Sequence, residues 1–429
     1  MEPTDDRLLK NKREIISWVL FDFANSAYTT LVLTFIYGTY FVKSIAPDEI
    51  TGTTLWSWAV TLTAITVAVL SPLLGAIADQ TSKRKLFLFI STIITIIASA
   101  TLYFFGPGQI FPALVFFIVS NIAFELTNVF YNAFLSDIAP KEKIGTISGI
   151  GWGVGYIGGL IAMVIAMIGF VSPEIPWFGL SKQAGEHIRA TTLLVAVWFG
   201  LFSIPLFVFV RQPGKGGSVS LQKGLTRGIL DIKTTIRELG RYREIVILLI
   251  ARLLYNDGLI TIFAFGGIYA AGTFGFSFNE IMVFGIMINV CAGIGALTMG
   301  FIDDRIGGKK TIQISNIALA VASLIAVFAP DKTWFWVAGI LVGLFAGPNQ
   351  SASRSLLGRF VPKNKTNQFF GFFAFSGKLT AFMGPMLLGL LTGWFDSQRV
   401  GVSVVVFFFI AGGLVLTRVD EKKGMAAAK

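Results

Sequence analysis

Asn121, Glu125, Asn128 and Asn132 recur at steps of four, three and four, so on a helix all four side chains share one face. A carboxylate set among three amides in an otherwise apolar run is a surface for an ammonium group or a proton. Asp22, Asn25, Ser26 and Thr29 repeat the idea in an earlier apolar run. In a later one, Arg252 and Asn256 share a face, and Asp257 points about 100° away from Asn256. Asn349, Gln350 and Ser353, with the isolated Lys378, complete the polar set. The chemistry this allows is solute binding. Carboxylates would accept a substrate amine or a coupling proton, and Arg252 or Lys378 would hold a substrate carboxylate. The competing reading is that these charges neutralise one another as interhelical pairs and only fix a bundle. A charge at mid-bilayer costs about 2.5–3.5 kcal/mol on insertion scales, so position separates the roles. Glu125 and Lys378 lie nearest mid-run and are the first candidates for contact with substrate or proton. Asp22 and Arg252, nearer one face, suit gating or structural pairing equally, and Asp257 stays open between the two.

The elements that must position these residues are membrane helices. Of 429 residues, 54% are apolar and only 14% charged, against about 25% charged in a soluble domain; the mean hydropathy is +0.73. Apolar windows recur at about 15–42, 53–78, 86–105, 110–138, 144–171, 190–210, 245–272, 278–302, 311–329, 334–356, 367–393 and 399–417. Each is long enough for a span, which needs about 20 residues. They are numbered spans 1 to 12 here. The expected fold is an all-α membrane protein of twelve transmembrane helices. Its organisation is a six-helix bundle at 1–210, a connector at 211–244 and a second six-helix bundle at 245–429.

Charge placement sets the orientation. Lys plus Arg number 35 and Asp plus Glu 24, a net charge of +11. With residue 1 in the cytoplasm, 28 of the 35 cations fall in cytoplasmic segments or, for Arg354, at the cytoplasmic end of a span, five in the opposite loops (Lys43, Lys182, Arg189, Lys332, Arg399) and two, Arg252 and Lys378, deeper within spans. This is the positive-inside pattern with both termini cytoplasmic. It absorbs the basic balance without a nucleic-acid partner. In the connector, Leu221, Leu225, Ile229, Ile232, Ile236 and Leu239 fall on one helical face among Lys223, Arg227, Lys233, Arg237, Arg241 and Arg243. The spacing predicts an amphipathic helix on the inner leaflet.

Other chemistries lack their residues. One cysteine, Cys291, excludes an intramolecular disulfide, and one histidine, His187, read as an external-loop residue, gives no His-rich metal site. Gly153, Gly155 and Gly158 fit G-x-G-x-x-G but lie inside an apolar span rather than after a strand. Gly151, Gly155 and Gly159, at steps of four, make a small-residue packing face instead. Neither a phosphate-binding G-x-x-x-x-G-K-[ST] nor a hydrolase motif occurs, so neither an enzyme nor a cofactor is expected.

One turn occurs twice. Gly75 to Lys85 reads GAIADQTSKRK and Gly300 to Lys310 reads GFIDDRIGGKK. Each sets an Asp four residues after a Gly and then a basic cluster. The gating residues expected here are Gly75, Asp79, Lys83 and Arg84 in the first copy and Gly300, Asp304, Arg305, Gly307 and Lys309 in the second. The Gly admits a neighbouring helix, the carboxylate suits an adjacent helix N-terminus, and the bases anchor the turn at the leaflet. Both copies resemble the loop signature of the major facilitator superfamily, G-x-L-x-D-R-x-G-R-K. The second matches better, and the first has Gln80 for Arg and Ser82 for Gly. The stretches Ser17–Tyr37, Phe134–Gly159, Leu253–Gly258 and Ser353–Pro385 resemble its vacuolar, autophagy-related amino-acid effluxer-like branch, which includes bacterial "unknown major facilitator" proteins.

The resemblance implies a major facilitator fold with spans 1, 4, 7 and 10 lining a central cavity. It implies a secondary active transporter working by alternating access, with a small polar solute, an amino acid or related zwitterion, as substrate and export as the direction. Proton coupling through Glu125, Asp22 or Asp257 is the expected energy source. The expected setting is a bacterial inner membrane, with the lipid bilayer as partner and a monomer as the working state. The alternative is a non-transporting membrane receptor or scaffold acting through the basic connector.

Overall fold

A computed structural model describes residues 4–212 and 221–428, with side chains described there outside 4–11, 184, 221, 222, 278 and 279. Every regular element among the described residues is helical. In lipid each backbone N–H and C=O must find its partner within the chain, which favours helices for segments this apolar. Eleven segments are long and apolar enough to cross a membrane: Lys12–Ile45, Glu49–Thr81, Arg84–Phe104, Ile110–Ile138, Lys141–Val171, Glu186–Phe209, Arg243–Phe274, Glu280–Ile306, Gly308–Phe328, Thr366–Phe395 and Gln398–Thr417. Span 10, Lys332–Phe360, has the length at 29 residues. It falls short in hydropathy because its second half carries Asn349, Gln350, Arg354 and several serines. Leu62, Ile97, Val197, Leu201 and Leu414 are exposed apolar side chains on these helices, as lipid contact requires.

Local chemistry explains the helix ends. Asp48 accepts from the Thr51 amide at 2.9 Å and so caps span 2. Ser277 and Glu280 form a capping box at span 8, and Asp331 caps span 10 through the amides of Thr333 and Trp334. Gly275, at φ 65°, closes span 7 in the left-handed conformation that costs glycine nothing. His187 departs from its reading as a loop residue. Gly185, at φ 66°, starts the helix early, and His187 is buried in its first turn.

Among the irregular spans, two bear on the polar residues. Span 1 widens into π-helical turns at Tyr28–Phe35 and Phe41–Ile45. Span 11 is two helices, Thr366–Lys378 and Met383–Phe395. Between them the amides of Ala381 and Met383 reach back only three residues, to Lys378 and Thr380. Pro385 has no N–H and its ring crowds the carbonyl four residues earlier, which keeps a regular helix from running through Ala381.

The chain divides into two compact units. The first comprises Met1–Leu70, Thr81–Tyr131 and Val154–Val219; the second comprises Ser71–Gln80, Asn132–Gly153 and Ser220–Lys429. In the first, Trp18 stacks on Tyr131 with ring centroids 4.7 Å apart. The Trp18 Nε1 donates to the Tyr131 carbonyl, and the Tyr131 hydroxyl returns a bond to the Trp18 carbonyl, both at 3.0 Å. Gly155 and Gly159 admit Ser26 and Thr30 of span 1. In the second unit, Gly149 and Gly153 lie against Ala296 and Leu297. Tyr269, Phe276, Phe284 and Phe335 form its aromatic core.

The connector forms helix Leu221–Arg237, and residues 213–220 lie outside the described chain. Leu239 falls beyond the helix end, so the expected apolar face is shorter by one residue.

Candidate functional site

In the first unit the polar stripe of span 4 meets span 1. Asn25 Nδ2 donates to Asn128 Oδ1 at 3.3 Å. Tyr28 and Ser120 share a hydrogen bond of 2.8 Å. Asn121 is buried, and its Oδ1 has no hydrogen-bond partner. Glu125 and Asn128 are half-buried, as is Asp22, whose backbone carbonyl receives Ser26 Oγ at 2.7 Å. Asn132, on the same face by sequence, belongs to the second unit, where its Oδ1 accepts from Arg354 at 3.1 Å.

The second unit gathers spans 7 and 10 around the break in span 11. Arg252 is buried. Its NH1 donates to the Phe373 carbonyl at 2.9 Å and to Ser376 Oγ at 3.3 Å, and the guanidinium carbon sits 3.7 Å from the centroid of the Phe373 ring. Gly377 makes the room, since a Cβ there would stand 2.5 Å from the guanidinium. One turn on, Asn256 Nδ2 donates to the Gly377 carbonyl at 3.2 Å, and its Oδ1 accepts from Gln350 at 3.1 Å. Asp257 is 1% exposed. Neither of its carboxylate oxygens has a hydrogen-bond partner. The Thr380 hydroxyl, in the break, faces it at a geometry short of a hydrogen bond and is itself unpartnered. Lys378, half-buried, ends the first half of span 11. Asn349 sits apart from this group and donates to Asn316 at 2.8 Å.

The two repeated turns end on helix starts. Asp79 accepts from the Asn367 amide at 3.1 Å, the Asn367 side chain at 2.7 Å and the Gln368 amide at 2.8 Å, at the start of span 11. Asp304 accepts from the amides of Gly145 and Thr146, both at 2.8 Å, at the start of the helix Ile144–Ala166 in span 5. Both are N-terminal ends, where backbone N–H groups and the helix dipole favour an anion. Gly75 lies on the Asn367 carbonyl, and Gly300 on Gly145 and Gly149. Lys309 Nζ donates to the carbonyls of Thr417 and Val419 at 2.8 and 2.6 Å. Arg305 is exposed, Arg84 is buried and Lys83 is half-buried. Gly307, at φ 92°, forms the bend.

Several residues of these networks carry no signal in the span-by-span reading of charge. Arg359, 7% exposed, pairs with Asp303 at 2.8 Å and Asp304 at 2.9 Å, and Ser355 bonds Asp303 as well. Arg354 donates to Ser148 Oγ at 2.9 Å and to the Ser148 carbonyl at 2.7 Å. Glu421 accepts from the amides of Gly308 and Lys309. A second repeat marks the capped helix starts. Pro140-Lys-Glu-Lys143 and Pro362-Lys-Asn-Lys365 stand just before the residues that Asp304 and Asp79 hold.

Known proteins resemble this chain along nearly its whole length. The family model described as "Vacuole effluxer Atg22 like" matches residues 44–429. An uncharacterised MFS-type transporter of Bacillus subtilis, YxiO, is 27% identical over 412 residues, covering 95% of this chain and 94% of its own. Autophagy-related protein 22 of Kluyveromyces lactis is 21% identical over 386 residues, covering 81% and 75%. That of Cryptococcus neoformans is 22% identical over 302 residues, covering 66% of this chain and 54% of its own, so the chain matches about half the length of that relative. Among solved structures, the proton:xylose symporter XylE superposes with a TM-score of 0.75 at 15% identity, covering 96% and 97% of the two chains. The human organic anion transporter MFSD10 superposes at 0.73 and 12%, covering 97% and 100%. At such identities these structures establish the fold, that of the major facilitator superfamily.

Proposed function

Starting from the premise that the chain belongs to the vacuole effluxer Atg22-like family of major facilitator transporters, we propose that it exports a small polar solute, an amino acid or a related zwitterion, by proton-coupled alternating access. In this reading spans 1–6 (1–210) and spans 7–12 (245–429) move as two bundles joined by the connector 211–244. The membrane is a bacterial inner membrane with both termini cytoplasmic, and a single copy suffices. The ties made by Asp79 and Asp304 then close the cytoplasmic side and part when it opens.

The observation that carries the reading is Asp257. A buried carboxylate without donors is a costly arrangement, and a proton or a substrate ammonium would supply the missing partner. Its place beside an interrupted span fits solute and ion sites at broken helices. Arg252 is engaged by Phe373 and Ser376, which turns the assignment of a substrate carboxylate towards Lys378. Glu125, Asn25, Asn121 and Asn128 offer the corresponding surface in the first unit, and Asn256 with Gln350 orients the second.

Flux in proteoliposomes under an imposed pH gradient tests this. Asp257→Asn is expected to abolish the pH-driven component, and Glu125→Gln to reduce it. Unchanged pH-driven flux in both variants refutes the coupling scheme.

A further inference from the structure

The connector helix Leu221–Arg237 is fixed by one edge. Gly228 lies on Ile77, where a Cβ would stand 3.0 Å from Cγ1. Lys365 Nζ donates to Asp231 Oδ1 at 2.8 Å and to Thr235 Oγ1 at 2.7 Å. The Thr235 hydroxyl in turn donates to Gln368 Oε1 at 3.3 Å. Gly228, Asp231 and Thr235 follow one another at steps of three and four, so they form a single edge.

Roughly 100° round the helix, Leu225, Ile229, Ile232 and Ile236 form a second edge. Leu225, Ile229 and Ile236 are 45%, 52% and 53% exposed. An apolar ridge held in place and left uncovered marks a contact surface. The charges beside it name the partner. The helix has five charged side chains. Its one acid, Asp231, is turned inward and paired, whereas Lys223, Arg227, Lys233 and Arg237 are exposed. The outward charge is wholly cationic.

We propose that this ridge and its four cations bind the anionic lipid surface of the membrane, and that lipid contact holds the connector docked and thereby strengthens the Asp79 tie. An apolar edge flanked by lysine and arginine suits the headgroup boundary. The link to the tie is short. Lys365 and Gln368, which hold the connector, flank Asn367, and the Asn367 and Gln368 amides are the donors to Asp79. The proposal goes beyond transport itself, and its test needs no substrate.

Hydrogen–deuterium exchange of the full-length protein in phosphatidylcholine nanodiscs, with and without phosphatidylglycerol, decides it. Amides 223–237 are expected to exchange about tenfold more slowly or less in the anionic discs, since each cation near such a surface adds to binding, and amides 367–370 are expected to follow. K223Q/R227Q/K233Q/R237Q is expected to exchange alike in both discs and to match the native protein in phosphatidylcholine. Lys365→Gln is expected to keep the lipid response at 223–237 and lose it at 367–370. Equal exchange of the native protein in both discs, or a lipid response retained by the quadruple variant, overturns lipid binding. A response at 367–370 that survives Lys365→Gln overturns the coupling.

Discussion

At the Asp79 turn the carboxylate accepts hydrogen bonds from Asn367 and Gln368, and Lys85 ties the start of the next helix to the end of span 6. The Lys85 amide donates to Gln212 Oε1 at 3.0 Å, and Lys85 Nζ to the Val210 carbonyl at 2.7 Å. At the Asp304 turn the same positions carry charge. The Lys309 amide donates to Glu421, Lys309 Nζ reaches the Val419 carbonyl, and Arg359 binds Asp303, Asp304 and, at 3.7 Å, Glu421. Two copies of one turn thus keep the geometry of the cap and differ in what surrounds it. The Lys85 bonds to the Gln212 amide oxygen and the Val210 carbonyl are tolerant, because losing one strands only a dipole. An ionic cluster with side-chain exposures of 7%, 2% and 11% at Arg359, Asp303 and Asp304 is unforgiving, because losing a partner strands a buried charge.

The largest effect should come from removing the cation. Arg359→Met is expected to destabilise by about 3–5 kcal/mol, and Lys85→Met by about 1 kcal/mol, both read from thermal unfolding of the detergent-purified protein. Equal losses would break the contrast. The glycines should reverse the order. A Cβ at Gly75 would overlap the Asn367 carbonyl, whereas at Gly300 the nearest atoms stand 3.0 Å away. Gly75→Ala is expected to cost about 2–3 kcal/mol and Gly300→Ala about 1 kcal/mol in the same melt. Smaller still is Glu421→Gln, which gives the second turn the chemistry of Gln212. It weakens one amide bond and the long contact to Arg359, for about 1 kcal/mol or less.

The smallest effect is local. Asp420 caps the helix Glu421–Ala427, and the Lys423 amide holds its carboxyl below the ordinary carboxylate range. A group depressed in the folded state stabilises above its unfolded value, about 3.9, and that contribution is lost as pH falls through the folded value. Protection from exchange at 421–427, relative to the intrinsic rate at each pH, should therefore fall below about pH 4 in the native protein, and Asp420→Asn should flatten that response.

Eleven of the spans were legible because hydropathy separates lipid-facing runs from loops, and span 10, polar in its second half, was legible from its apolar first half and its length. The turns were legible because a Gly and an Asp recur at fixed spacing in both halves. Arg359 and Glu421 were not, since a cation and an acid at helix ends read as leaflet anchors until packing brings Arg359 onto Asp303 and Asp304 and Glu421 onto the amides of Gly308 and Lys309. Asn132 shows the limit of periodicity. Its spacing aligns it with Glu125, yet Arg354, 222 residues later in the chain, claims its side chain. Arg252 reads as a solute-binding cation by charge, but the Phe373 carbonyl and ring take it, and nothing in local sequence announces that. The break in span 11 had a signal in Pro385, whose missing N–H would have served the Ala381 carbonyl, about one turn after Lys378.

The crossed caps bear on how such a chain is made. The Gly145 amide is capped by a residue 159 positions later, and the Asn367 amide by one 288 positions earlier. A ribosome delivering this polypeptide into the translocon therefore releases the fifth hydrophobic segment with its leading end still waiting for Asp304. Early helices must idle in the bilayer as an unfinished intermediate, exposed to membrane proteases, until the later ones arrive. Synthesis as two separate fragments should leave each dependent on the other for survival in the cell.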